Sequence, residues 1–361
     1  MKKYVSIILI ILLLCSICAC GSEVSSPAAA PTATPVPTPE ANPEPTPAPE
    51  PLPTPSPEGE IFLNVRAITF STVGESENIY AGTAPLEAVN WQSADESIIT
   101  VENGVLTAAG VGETTVTAEF MGRTVSCTAG CLAADEEELH ALPIETLRQP
   151  KRLAPEMENP PVEYFSDALI MGDSISYFLF QFESKNNHLG DVMFLTRGGT
   201  SLLGIQNRSY NIYYQGQDVA IEESVARSGR QKLFLMLGQN DLGYRSIEDT
   251  LGSYAIIIER IREKSPDVEI YIQSLVHEWW ETGADNSRNE KIDLYNAELV
   301  SFAAEHNCHH LDIAKYIEDH LGTMAAPYNM DYGIHVNEEG CVEWMKALNA
   351  YAYIEMIGVS E

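Results

Sequence analysis

The sequence predicts an α/β domain built on a parallel sheet, preceded by a small β-sandwich and a long tether. Three observations predict it. From Val162 onward, short apolar runs alternate with helix-length segments, the pattern of a parallel sheet covered by helices on both faces. Between about Ile61 and Leu132 the chain instead shows closely spaced β-branched runs separated by turn signals. Its 361 residues accommodate about two domains at the usual ~150 residues each.

At the N-terminus, Lys2 and Lys3 precede an apolar run from Val5 to Leu14, broken only by Ser6. That run is too short for a comfortable membrane span and reads as a secretory signal peptide. It ends in Ile17-Cys18-Ala19-Cys20-Gly21, which resembles a bacterial lipobox. The resemblance implies removal of residues 1–19 and a thioether-linked lipid on Cys20. The chain is then expected outside the cytoplasm, anchored at the membrane surface, and no second apolar stretch is long enough to span. Residues 20–59 are mostly Pro, Ala, Thr, Ser and Glu, with too few large apolar side chains to bury a core. As extended polyproline II such a stretch reaches on the order of 100 Å, which makes it a spacer.

Residues 60–132 are the predicted sandwich. Ile61 to Val65, Ile98 to Val101 and Thr114 to Ala118 read as strands, with turn signals at Asn103-Gly104 and Gly110-Val111-Gly112. The run Val89-Asn90-Trp91-Gln92-Ser93, then Ile99 to Ala108, then Gly112 to Ala118, resembles the bacterial immunoglobulin-like domain of group 2. That resemblance implies a structural or adhesive spacer, with Trp91 as a core anchor. Residues 133–161 are acidic and Pro-punctuated, with a short helix expected at Asp135–Leu142, and read as a connector.

Residues 162–361 hold five strand candidates: Ala168–Met171, Val192–Leu195, Lys232–Leu237, Val268–Ile272 and His310–Ile313. Helical patterns lie at Ile247–Lys264, Asn289–His306 and Val342–Ile357. In such sheets ligands bind at the carboxyl ends of the strands. Three polar segments follow strands there: Gly172-Asp173-Ser174-Ile175, Arg197-Gly198-Gly199-Thr200-Ser201 and Gly238-Gln239-Asn240-Asp241. A fourth, Asp331-Tyr332-Gly333-Ile334-His335, precedes the last helix. Acyl transfer needs a nucleophile, a base, a group to orient the base, and donors for the developing oxyanion. These four segments contain every one of those roles.

In this order the segments resemble the SGNH/GDSL hydrolases over about the last 200 residues. The resemblance implies a flavodoxin-like, three-layer α/β/α fold and an ester-hydrolysing site. Carried over by position, Ser174 is the nucleophile, His335 the general base, and Asp331 its orienting acid. The oxyanion donors are the Ser174 and Gly198 N–H groups and the Asn240 side-chain amide. The family commonly places the acid three residues before the histidine, where this chain has Tyr332. Asp331 is four before. Ser174 alone is equally read as a helix cap. Asp173, Asp241 and Asn296 read as structural. No Gly-x-Ser-x-Gly elbow is present, which argues against the α/β-hydrolases.

Trp279 and Trp280, after the fourth strand, are candidates for a substrate-facing loop that stacks on sugar rings, with Tyr213, Tyr214 and Tyr244 as further suspects. Lys+Arg total 21 against 52 Asp+Glu, a formal net charge of −31, and such a surface repels nucleic acid. No metal or organic cofactor is implied. Cys308 beside His309 and His310 has no second ligand group at zinc spacing. Cys127, Cys131, Cys308 and Cys341 are open to either disulfides or free thiols. The expected activity is hydrolysis of carboxylic esters, with O-acetyl groups on carbohydrate as the substrate. A non-catalytic glycan-binding or adhesion lipoprotein and an O-acyltransferase using the same triad are the alternatives.

Overall fold

The structure is a computed structural model that describes residues 61–82, 89–280 and 286–356. The signal segment, Cys20 and the Pro-rich tether lie outside the described residues. No helix among the described residues is long and apolar enough to cross a membrane. The described residues lie within one compact unit.

The N-terminal β region comprises β1 (Phe62–Leu63), β2 (Ala67–Thr72), β3 (Ser76–Asn78), β4 (Ala81–Gly82), β5 (Asn90–Ser93), β6 (Ile99–Glu102), β7 (Val105–Ala108), β8 (Gly112–Phe120) and β9 (Arg123–Ala133). Strand β8 alternates buried and exposed residues, as expected where one face packs and one is solvated. Its core centres on Ile79, Ile99, Leu106 and Val116, none of which is exposed. Trp91 lies on the edge strand β5 and is only partly buried against that core. It is a flank of the core rather than its anchor.

The connector is folded onto both of its neighbours. It contains α1 (Glu136–Ala141), α2 (Ile144–Leu147) and β10 (Arg152–Leu153). Strand β10 joins the N-terminal sheet antiparallel to β2, so the sheet runs β10-β2-β9-β8-β5. Side chains then tie this region to the C-terminal domain. Arg66 reaches Glu343 at 3.2 Å, Lys315 reaches Glu77 at 2.6 Å, and the Tyr316 hydroxyl donates to the Asn64 carbonyl at 3.0 Å.

The C-terminal domain is a three-layer α/β/α fold. Its elements are β11 (Ala168–Gly172), α3 (Ser174–Asn186), β12 (Met193–Thr196), α4 (Leu202–Gln206), β13 (Ile212–Tyr214), β14 (Gln217–Val219), α5 (Ile221–Ser228), β15 (Lys232–Met236), α6 (Gln239–Leu242), α7 (Ile247–Lys264), β16 (Glu269–Gln273), α8 (Ser287–Glu305), β17 (His309–Leu311) and α9 (Glu338–Met356). The sheet order is β12-β11-β15-β16-β17, and every pairing is parallel. Every residue of β11 is buried, which is why the strand reads as a continuous apolar run. Helix α3 packs with α9, and α7 with α4, α5 and α8.

The chain leaves β11 for β12 on one side, then returns for β15 on the other. The carboxyl end of β11 is therefore the topological switch point, where such sheets open a crevice. Ser174 is the second residue after β11.

All four described cysteines are free thiols. Cys127 and Cys131 lie on one strand four residues apart, about 13 Å at strand rise, which is beyond disulfide reach. His309 stacks on Tyr271 at 4.5 Å. Among the described residues no three His, Cys, Asp or Glu side chains gather as a metal site would need.

Candidate active site

The turn after β11 sets the position of Ser174. A Cβ at Gly172 would sit 2.1 Å from the Ser176 hydroxyl and 2.9 Å from the Met236 carbonyl, so only glycine fits there. Asp173, not Ser174, caps α3: its carboxylate accepts the Ile175 N–H at 2.9 Å. With the cap supplied by its neighbour, the Ser174 hydroxyl is free to donate to His335 Nε2, at 3.0 Å. The Ser174 N–H belongs to the first turn, whose donors have no acceptor within the helix. The helix dipole adds positive potential at that point.

His335 comes from the loop before α9. Its Nδ1 lies 2.5 Å from Asp331 Oδ2, and its backbone N–H reaches Asp331 Oδ1 at 3.4 Å. Tyr332, the extra residue between them, adopts the left-handed region at φ 55°. Its N–H donates to the Asn329 side chain at 2.7 Å, which holds the turn. The Gly333 carbonyl accepts from the Trp279 N–H at 2.8 Å, tying this loop to the one after β16. Phe178, one turn along α3 from Ser174, packs edge-on against the imidazole at 4.8 Å between centroids.

Gly198 lies against Ser174, so that a Cβ there would be 3.9 Å from Ser174 Cβ. The next residue, Gly199, is left-handed at φ 71°, and Thr200 closes the turn with its hydroxyl on the Arg197 carbonyl at 2.6 Å. Asn240 sits in the first turn of α6 after β15. Its Nδ2 donates to Asp173 Oδ2 at 2.9 Å and to the Thr200 carbonyl at 3.0 Å. One amide thus joins the turns after all three strands.

Asp173 is almost wholly buried. Burial pushes its carboxyl up to about 6, although the Ile175 N–H and the His335 charge work in the opposite direction. Asp241 is also buried and accepts the backbone N–H groups of Leu202 and Leu203, at 2.7 and 3.0 Å, at the start of α4. Asn296 clamps the loop after β16 through both the N–H and the carbonyl of Leu275. These three residues hold the strand-end turns in place.

On the far rim, Trp279 is half-buried. Its ring meets Tyr332 edge-on at 5.2 Å, and the Arg148 guanidinium lies 4.7 Å over its face. Arg148 also donates to the Trp280 carbonyl. The loop continues into residues that are not described. Tyr214 is half-buried, whereas Tyr213 and Tyr244 are exposed. No pattern in the chain pointed to Arg148, which lies 132 positions from Trp280. Phe178 was findable, because i+4 places it on the Ser174 face of α3.

The arrangement has a hydroxyl, an imidazole and a carboxylate in series, beside backbone and amide donors at the end of the sheet. Residues 170–341 match the GDSL-like Lipase/Acylhydrolase family. The C-terminal domain is a GDSL-like hydrolase domain. No curated protein matches the chain. Among solved structures it is similar to a GDSL-like lipase from Bacteroides thetaiotaomicron, at 15% identity over 55% of this chain and 92% of that one, TM-score 0.43. It is also similar to a carbohydrate esterase family 3 protein from Talaromyces cellulolyticus, at 16% identity over 54% and 99%, TM-score 0.38. An acetyl xylan esterase matches at 14% identity over 50% and 97%, TM-score 0.39.

Proposed function

We propose that this chain is an extracytoplasmic, lipid-anchored serine esterase that removes O-acetyl groups from carbohydrate. The observation that carries the esterase reading is the relay from Ser174 Oγ to His335 Nε2 at 3.0 Å, with Asp331 on the opposite ring nitrogen. Ser174 Oγ attacks the ester carbonyl while His335 takes its proton. The N–H groups of Ser174 and Gly198 and the Asn240 amide hold the oxyanion. His335 then returns the proton to the departing alcohol. Water, activated by the same imidazole, cleaves the acyl-Ser174 ester and restores the hydroxyl. Asn240 has only two amide hydrogens, so the oxyanion takes up one that rests on Asp173 or Thr200.

The carbohydrate part rests on Trp279 and Tyr332 at the rim, with an exposed tyrosine ring beside a half-buried tryptophan. Anchoring through Cys20 and the spacer role of the N-terminal region rest on the sequence alone. Acetate release from O-acetylated xylan and other acetylated glycans, measured beside p-nitrophenyl acetate and p-nitrophenyl octanoate, tests the substrate. The carbohydrate reading predicts release from at least one glycan and a higher KM for it in Trp279→Ala. Turnover of the aryl or lipid esters with no glycan deacetylated would reject it.

A further inference from the structure

A groove of about 320 Å³ is lined by residues of α3 that follow Ser174 and by Arg197, which precedes Gly198, and neither the triad nor the Trp279 rim lines it. One wall is helix α3, where Tyr177 and Phe180 follow Ser174 at three and six residues. At 1.5 Å per residue their backbone positions stand about 4.5 and 9 Å along the helix axis from that of Ser174. Phe194 of β12 continues that wall, 5.5 Å from Phe180 between centroids. The opposite wall is the β13–β14 hairpin, where Tyr213 pairs across the strands with Asp218. Arg197, adjacent to Gly198, also lines the groove.

The walls are held independently of any ligand. Tyr177 accepts at its hydroxyl from Gln181 at 2.7 Å. Arg197 donates to the Asn211 carbonyl at 2.6 Å, with its guanidinium 5.2 Å over the Tyr210 ring. The hairpin turns through Gln215 and Gly216, both at positive φ, which suits a two-residue turn and aims the strand pair at β12.

We propose that this groove is a glycan subsite, which takes sugar units of the polymer next to the one carrying the scissile ester. The proposal rests on ester hydrolysis at Ser174 and names a second contact for the same substrate. Three observations choose the occupant. The rings are open to water, with Tyr177 and Phe180 each 40% exposed and Tyr213 71% exposed. An alkyl chain gains only by leaving water, and an open shelf gives it little. A sugar lays its C–H face on a ring while its hydroxyls stay hydrated, so half-exposed rings suffice. Next, the polar groups at the rim, Arg197 and Asp218, carry opposite charges, which suits a neutral polyol more than an ion. Finally, the chain's net charge of −31 disfavours an anionic polymer over the same surface.

The test separates binding from turnover. Calorimetry on the full chain carrying Ser174→Ala uses xylo-, manno- and chito-oligosaccharides of two and six sugars. At least one series is expected to bind about tenfold more tightly as the hexamer than as the dimer. Tyr213→Ala and Phe180→Ala in that background remove most of the hexamer advantage and leave the dimer unchanged. With Ser174 in place, the same substitutions raise KM for the acetylated hexamer and leave p-nitrophenyl acetate turnover unaltered. Equal affinity for dimer and hexamer in every series overturns the proposal. So does a loss of p-nitrophenyl octanoate turnover in Tyr213→Ala with hexamer binding intact, which would make the groove an acyl site. Length-dependent binding without any ester turnover would sink the esterase reading and leave the subsite standing.

Discussion

Asp331 meets the Nδ1 of His335 from four residues upstream because Tyr332, between them, turns left-handed at φ 55°. That conformation absorbs the extra residue and returns the carboxylate to the ring. A non-glycine residue there carries a backbone cost that the Asn329 side chain helps to offset.

Two substitutions test this relationship. Tyr332→Gly accepts the same φ without strain and is expected to keep p-nitrophenyl acetate turnover within about twofold. Tyr332→Pro fixes φ near −65° and should separate Asp331 from the imidazole. Its kcat should fall as in Asp331→Asn, about 10²- to 10⁴-fold with little change in KM, since the acid sets tautomer and orientation. Equal activity of the Gly and Pro variants would contradict the account.

Asn240→Ala removes one proposed oxyanion donor and the link between Asp173 and the Thr200 turn. A loss of about 10²–10³ in kcat is expected, with a smaller effect on KM. Steady-state kinetics on p-nitrophenyl acetate checks it. A change confined to KM would mean that the amide positions ground-state substrate only.

His320 makes stability acid-sensitive. Burial, with Lys151 adding repulsion, holds its pKa down to about 4 from an ordinary 6.5. Its ring accepts or donates at the Ser71 hydroxyl, 3.0 Å away, where the N-terminal sheet meets the C-terminal domain. Between these two values the unfolded chain binds more protons than the folded one. Stability is therefore whole above about pH 6.5 and falls as pH drops toward 4. The contribution lost by pH 4.5 is about 2 kcal/mol. Urea unfolding at pH 7 and 4.5 should show a smaller acid loss in His320→Gln than in the unaltered chain. An equal loss in both would place the acid sensitivity elsewhere.

Gly238 tests the turn that delivers Asn240. It lies at φ 127°, and a Cβ there would be 2.7 Å from the Tyr295 hydroxyl, which itself donates to the Leu237 carbonyl at 3.0 Å. Gly238→Ala should cost about 1–3 kcal/mol from the backbone alone, and more if Tyr295 must move. A thermal melt within a degree of the unaltered chain would show that the turn relaxes freely.

Strand and helix positions were legible in the C-terminal domain because the central strands are buried on both faces. Ala168–Gly172 and Ile247–Lys264 carry period and composition in a few residues. The hairpin at Ile212–Val219 was not legible, since Tyr213, Gln217 and Asp218 are exposed and leave no apolar run. Ser174, His335 and Asn240 were readable from residue type and order. That Asp173 and not Ser174 caps α3 depends on the direction of the Asp173 side chain, which no pattern encodes. Arg148 and Tyr332 acquire their place at the rim only through tertiary packing. The left-handed turn at Tyr332 left no mark in spacing except the departure itself.

Whether Ser174 is a nucleophile driven by His335 is open to direct measurement. The most direct measurement is p-nitrophenyl acetate turnover by the chain from Pro53, beside Ser174→Ala and His335→Ala, with fluorophosphonate labelling read by intact mass. Turnover in the unaltered chain, one adduct that maps to Ser174, and loss of both in each variant are the expected results. Turnover that persists in Ser174→Ala, or a folded protein with neither turnover nor adduct, would contradict it.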